Sequence, residues 1–545
     1  MNTNPQVNPY RSPQVNPFVG SGPQTASGPP RSPGRRTFSA LLLLTLSASS
    51  MAATTLTAPG AAAAARQPSV TTPASPSAPA SASVPASTPA IIWGACTADP
   101  PFPDPGPRAE CGTVKVPLDW SQPKGPKIGI AVARHRATDP ARRVGVLLSN
   151  PGGPGAPGLG DAMYADGPSG GYSPEMLRRF DMIGFDPRGI GRSHRAVCDE
   201  NLLGSIPARP HDAAEFGRLR TLNGRLAESC LKETGPLAAH MDAESVARDM
   251  DAIRAALGES RISFIGHSYG TLIGERYARL FPGRLRALAL DSALDPGRPG
   301  AERYLTEAAV TLDGALKRLA EWCAKDGTCA LKGKDVVAVT DGLFARADAG
   351  TLRDPGPKGP TRTKVDADRL AGLLTFWVGK GALAESAKQL AALHSGKGQV
   401  QWIDTEGEPA HRLVLCRDYD FRIRDHAQYQ AILQRVAQAA PHVRYNAQAL
   451  DFVLGCQGWT MPPKPRPARS AGPLPPVLVV NATLDYATPL PGARRMAASF
   501  PEARLYTMDV VSHWLYREGK TGQVKRVVDD YLVNPGTGGR ARTGA

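Results

Sequence analysis

Past residue 90 the chain alternates between short apolar runs ended by Gly and Pro and longer stretches with apolar residues three and four apart. Cys111 to Trp120 and Lys127 to Ala133 read as the two strands of a hairpin. Val144 to Ser149 reads as a buried strand ending in Asn150-Pro-Gly-Gly-Pro-Gly155. Phe180 to Asp186 reads as another, stopped by Pro187-Arg-Gly-Ile-Gly-Arg-Ser193. Between Ser245 and Leu257, residues Val246, Met250, Ile253 and Leu257 recur at helical spacing. Arg261 to Ile265 and Leu285 to Leu290 are the next expected strands. From about 300 to 470 helical patterns dominate, broken at Asp354-Pro-Gly-Pro-Lys-Gly-Pro360. Strand texture returns at Pro476 to Val480, followed by a helix (Gly492 to Ser499) and a strand (Arg504 to Met508). Strands alternating with helices imply an α/β architecture: a mostly parallel sheet with helices on both faces. The expected organisation is a core over 91–300, an inserted helical cap over 301–470 and a closing part of the core over 471–536.

Composition changes the picture mainly at the ends. Ala, Ser, Thr and Pro dominate Gln67 to Ala90, which cannot bury enough apolar surface to offset its ordering entropy. Residues 67–90 are therefore expected to be a flexible linker, and 537–545 a disordered tail. Arg35-Arg36-Thr37-Phe38 precedes a short Leu-rich run and an Ala-rich stretch, the pattern of an export signal over 1–66, with the paired arginines suggesting the twin-arginine route. The apolar run is too short for a good membrane span. Net charge is +15, of which Arg11, Arg31, Arg35, Arg36 and Arg66 supply five, with no acidic residue before position 90. The remaining +10 is scattered rather than gathered into a basic patch, which argues against nucleic acid as a partner.

The chemistry centres on Gly266-His-Ser268-Tyr-Gly270, between a predicted strand and a predicted helix. That context turns G-x-S-x-G into a nucleophile elbow, a sharp turn that lifts the serine hydroxyl above the sheet edge. Serine needs a base and a group to orient the base. After position 400 the histidines are His411, His426, His442 and His513; the first three fall in the cap, while His513 follows the last predicted strand. Asp485 lies just past the Val477 to Val480 strand and is preferred as the acid to Asp509, which ends a different strand. The oxyanion donors are expected to be the backbone N–H of Tyr269 and of Gly153 in the Pro151 to Gly155 loop. Aspartate is the nucleophile in dehalogenase and epoxide-hydrolase chemistry, so those reactions are disfavoured. No cofactor or metal is expected, since no metal-ligand spacing occurs.

Eight cysteines follow the export signal, and in an exported chain an even count reads as disulfides. Sequential pairing gives Cys96–Cys111, Cys198–Cys230, Cys323–Cys329 and Cys416–Cys456.

Asn150-Pro-Gly-Gly-Pro-Gly155, Phe185-Asp-Pro-Arg-Gly-Ile-Gly-Arg-Ser193, Gly266-His-Ser-Tyr-Gly-Thr271 and Leu484-Asp-Tyr-Ala-Thr-Pro489 resemble the secreted tripeptidyl aminopeptidases of high-GC Gram-positive bacteria. These are α/β-hydrolases related to proline iminopeptidase, and the likeness runs from about Cys96 to Leu532. It departs from that pattern at Ser512, where glycine usually precedes the histidine, and in Asp291-Ser-Ala-Leu-Asp-Pro296. The export signal and the cysteines imply an extracellular protein, free or wall-associated, and a monomer is expected; the resemblance implies release of short peptides, typically tripeptides, from free peptide or protein N-termini, with Ser268, Asp485 and His513 as its triad. An exopeptidase must also recognise the substrate ammonium. Asp418 in the cap is the candidate for that role, with Glu275, Glu406 and Glu408 as other possibilities. A secreted carboxylesterase of the same fold, or a non-catalytic secreted binding protein on a hydrolase scaffold, are the alternatives.

Overall fold

The computed structural model describes residues 90–98, 104–167, 171–297, 299–355, 363–401, 409–517 and 522–536. The expected export signal, most of the linker and the tail lie outside the described residues. Nine strands form one sheet: β1 (Gly94–Ala95), β2 (Ala109–Pro117), β3 (Lys127–His135), β4 (Gly145–Asn150), β5 (Phe180–Phe185), β6 (Ile262–His267), β7 (Leu285–Asp291), β8 (Val477–Leu484) and β9 (Ala503–Val511). Their order is β1-β2-β3-β5-β4-β6-β7-β8-β9. Strands β1, β2 and β3 pair antiparallel, β3 meets β5 antiparallel, and the ladder from β5 to β9 is parallel.

The central strands read as unbroken apolar runs because both faces are covered. Leu148, Phe264, Leu288 and Val479 enter one core with the helices Ala243–Ala256 and Tyr269–Leu280. Their neighbours Leu147, Ile265, Ala289 and Leu478 enter the other, against Val524, Val528 and Leu532 of the last helix, Gly522–Val533. Strand β2 keeps a two-residue alternation, Val114 and Val116 inward and Lys115 outward. Asp212, Asp242, Asp335, Asp366 and Asp425 each cap a helix by accepting a backbone N–H in its first turn.

Between β7 and β8 the described residues form seven helices: Ala301–Lys325, Val336–Asp348, Ala367–Gly379, Leu383–Ser395, Pro409–Asp418, His426–Ala439 and Ala447–Gly455. The helix Ala213–Glu233, which precedes β6, joins them. Its buried Asn223 donates to the carbonyls of Leu454 and Gln457 (both 2.8 Å) and accepts from Arg412. The cap thus draws on two separate segments. The cysteines pair as 96–111, 198–230, 323–329 and 416–456, leaving no free cysteine among the described residues. No helix among the described residues is long and apolar enough to cross a membrane.

Candidate active site

Strand β6 runs straight into the helix Tyr269–Leu280 with Ser268 at the junction, at φ 54° and ψ −121°. A side chain in that left-handed region is strained, and the surroundings must hold it. The two motif glycines make the turn sterically possible. A Cβ on Gly266 would come 2.4 Å from the Gly270 carbonyl oxygen, and one on Gly270 would come 2.5 Å from that of Asn150. Two bonds anchor the turn: Ser268 N–H donates to the Asp291 carbonyl (2.9 Å) and Thr271 N–H to the Ser268 carbonyl (3.0 Å).

The Pro151 to Gly155 loop lies directly on this elbow. Asn150 Oδ1 accepts the Gly152 N–H (3.0 Å) and bends the chain as it leaves β4. A Cβ on Gly152, at φ +95°, would sit 2.4 Å from the His267 carbonyl oxygen and 2.9 Å from Tyr269 N. Gly153 also has positive φ. The loop therefore requires glycine for both backbone angle and close approach. Gly152, which sequence reasoning passed over, makes the tightest approach.

Asp485 follows β8 and is fully buried. Its Oδ1 accepts the N–H groups of Ala487 (3.1 Å) and Thr488 (2.9 Å), and its Oδ2 accepts the Thr488 hydroxyl (2.7 Å). His513 Nδ1 lies 2.9 Å and 3.0 Å from the two carboxylate oxygens. The structure thus brings Asp485 and His513 together. Asp509 instead pairs with Arg318 and Thr483 at the surface. Thr488, unnoticed in sequence, is in reach of both partners, its hydroxyl 3.4 Å from His513 Nδ1. The residues after His513 are held by the end of β7: Ser292 Oγ accepts from Trp514 N–H (2.9 Å), and the Asp291 carboxylate accepts from Leu515 and Tyr516 N–H (3.1 Å each). Asp291 also meets His267 Nδ1 at 2.9 Å. One residue therefore ties the nucleophile's backbone, the residue before it and the histidine loop together.

Asp418 reaches this site, but not as an open carboxylate. It is 2% exposed, and its oxygens accept the Tyr269 hydroxyl and the Ala243 N–H (3.1 Å). Burial, with the nearby Asp242 charge, pushes its pKa up to about 6. Glu275 is also buried and is engaged by Arg276, Arg279 and Arg466. Glu406 and Glu408 lie outside the described residues. The His411 backbone lies beside Gly155, and its ring is 4.4 Å from that of Phe452. Burial depresses its pKa to about 4, with the Pro154 carbonyl acting in the opposite sense. No group of His, Cys, Asp and Glu that could hold a metal ion occurs among the described residues.

A family model for the alpha/beta hydrolase fold matches residues 145–520. The chain is 30% identical over 471 residues to the serine protease Hip1 of Mycobacterium tuberculosis, covering 81% of this chain and 88% of that one. It is 30% identical over 486 residues to a tripeptidyl aminopeptidase of Streptomyces coelicolor, covering 84% and 86%. It is also 30% identical over 446 residues to carboxylesterase B of M. tuberculosis, covering 75% and 82%. The family model spans the elbow, the loop that lies on it and the strands that precede Asp485 and His513, and with these relatives the chain belongs to the tripeptidyl aminopeptidase family of α/β-hydrolases.

Proposed function

We propose that the protein is a secreted serine exopeptidase that releases tripeptides from free N-termini through an acyl-enzyme. The pairing of His513 with buried Asp485 carries this reading. An imidazole that donates from Nδ1 to a carboxylate leaves Nε2 as its basic nitrogen, the tautomer needed to take a serine proton. Ser268 Oγ attacks the scissile carbonyl carbon while His513 Nε2 accepts its proton. The carbonyl oxygen becomes an oxyanion that receives the N–H groups of Tyr269 and Gly153. Collapse breaks the C–N bond, and His513 returns the proton to the departing amine. Water, activated by the same imidazole, then hydrolyses the Ser268 ester. The peptidase names among the relatives support peptides as substrates, and the four disulfides suit an extracellular setting. The likeness to carboxylesterase B keeps a second reading in play, an esterase using the same triad.

Hydrolysis of Ala-Ala-Pro-p-nitroanilide, with its N-terminus free or acetylated, separates the two. Cleavage of the free form alone, abolished in Ser268→Ala with folding intact, is the expected result. Equal cleavage of both forms, or turnover of simple esters only, would replace the exopeptidase reading by the esterase. Retained activity in Ser268→Ala would remove the nucleophile assignment.

A further inference from the structure

The cap helix Pro409–Asp418 carries His411 and Asp418 seven residues apart, two turns along one face. Each touches one of the two segments that flank the oxyanion position. Asp418 accepts the hydroxyl of Tyr269, the residue whose N–H follows the nucleophile. At the other end, the His411 backbone runs 3.7 to 3.8 Å from the place a Cβ on Gly155 would occupy, and its ring is buried beside the Pro154 carbonyl. The helix itself is fixed. Arg412 binds Asn223 (2.8 Å) and Asp451 (3.3 Å), Arg417 binds the Pro462 carbonyl, and Cys416 is joined to Cys456. It also closes on the core, since Ala243 N–H at the start of the helix Ala243–Ala256 donates to Asp418.

We propose that the helix Pro409–Asp418 is a brace for the oxyanion hole, Asp418 positioning Tyr269 through its hydroxyl while His411 backs the Pro154–Gly155 turn. This rests on the Tyr269 and Gly153 amides being the oxyanion donors. Both donors act through backbone N–H groups, so no side chain of theirs reaches the substrate oxygen; their aim depends on what holds the backbone. A hydroxyl fixed at the far end of a rigid aromatic ring is an effective handle on the Tyr269 main chain. Asp418 is then a positioning residue, and the ammonium of the substrate is recognised elsewhere. Loss of the handle would slow every acyl transfer at Ser268, whatever the N-terminus of the substrate.

The test uses the full-length enzyme with Ala-Ala-Pro-p-nitroanilide and with p-nitrophenyl acetate, which has no ammonium. Tyr269→Phe removes the hydroxyl and keeps the N–H. It should lower kcat on both substrates by the same factor, roughly 10- to 100-fold, with KM within about twofold. Asp418→Ala, which also loses the Ala243 N–H contact, should lower kcat on both substrates by a similar factor, and the double variant should turn over no more slowly than Asp418→Ala alone, because both substitutions delete the Tyr269–Asp418 hydrogen bond. Asp418→Asn, which can still accept the hydroxyl, should recover most of the rate. The His411→Ala variant, which removes the backing ring from the loop, should slow both substrates alike. Thermal unfolding of each variant reports its folding, and Tyr269→Phe is the variant least able to disturb it. Unchanged ester turnover in folded Tyr269→Phe, or additive losses in the double variant, would overturn the brace. So would losses in Asp418→Ala and Asp418→Asn confined to KM for the free peptide, which would return Asp418 to ammonium recognition. A wild-type enzyme that hydrolyses only the ester would sink the exopeptidase reading, while the ester would still report on the brace.

Discussion

Arg188, in the loop that follows β5, should be the most costly single ion to unpair in the core. It is 1% exposed, and every arm of its guanidinium is used. Nε and Nη2 form a fork with the Asp249 oxygens (2.7 and 2.6 Å), Nη1 donates to the Leu118 carbonyl (2.8 Å) and Nη2 to that of Pro117 (3.1 Å). Asp249 also accepts the Trp120 indole N–H (2.9 Å). Deleting Asp249 strands a guanidinium where water cannot reach it, at a cost of ~3–5 kcal/mol. Losing the indole bond adds about 1 kcal/mol. Against a total stability on the order of 5–15 kcal/mol, Asp249→Ala would retain a fraction of the wild-type margin. Asp249→Asn keeps one acceptor oxygen for Arg188 Nη2 and the Trp120 indole while its NH2 faces Arg188 Nε, and it should lose less than the alanine variant. The double variant Arg188→Met/Asp249→Leu buries no charge and should recover much of the loss. Urea unfolding followed by tryptophan fluorescence at pH 7, with disulfides intact, measures all three. A loss under about 1 kcal/mol for Asp249→Ala, or a double variant no more stable than the single one, would refute the claim that this buried pair sets the cost.

Two further outcomes follow from carboxylates at the site. Asp291→Asn puts an amide N–H where one of three donors now points, so the histidine loop should shift; kcat on the peptide anilide should fall roughly 10-fold or more with KM nearly constant, and unchanged kcat would show that the loop holds itself. Asp418 is surrounded by Asp242, Tyr269, Tyr419, Arg276 and the Ala243 N–H, and its pKa is raised to about 6. An unfolded chain releases that proton near ~3.9, so the folded state binds more protons than the unfolded state between the two values and stability falls as pH rises through them. The full change is on the order of 3 kcal/mol. The stability of Asp418→Asn relative to wild type should therefore grow by that amount from about pH 4 to pH 7, and a difference that stays flat across this range would show that Asp418 ionises normally.

The sheet and the serine turn were legible in sequence because their signals are local. G-x-S-x-G marks its own turn, and strands buried on both faces appear as apolar runs. Their ends were less legible. β8 continues to Leu484 and β9 to Val511, beyond the apolar runs, because pairing with the neighbouring strand runs on through Asn481 and Thr507 and resumes at Leu484 and Val511 after an irregularity that takes in Thr483 and Asp509. The helix Ala213–Glu233 went unread although Phe216, Leu219, Leu226 and Cys230 recur at helical spacing along it. Its membership of the cap depends on Asn223, whose partners Leu454 and Gln457 lie far along the chain. Asp418 was picked out as a cap carboxylate, but neither its burial nor its tyrosine partner is written in the residues around it.

What holds the elbow comes from distant parts of the chain, and this explains why the serine turn is easier to read than its setting. Ser268 occupies a backbone conformation that does not sustain itself. His267, just before it, is held by Asp291 across 24 residues, and Tyr269, just after it, by Asp418 across 149. His513 is held by Asp485 across 28. Each carboxylate is buried, and each takes donors from a different part of the site. Asp291 and Asp485 belong to the ends of core strands, whereas Asp418 belongs to the cap. A second link supports that division: cap residue Asn446 donates to the Tyr486 carbonyl (3.0 Å), next to Asp485. The cap consequently reaches both the Asp485 side and the Tyr269 side of the site. A change in its packing should therefore be felt as a change in turnover as well as in which substrates enter.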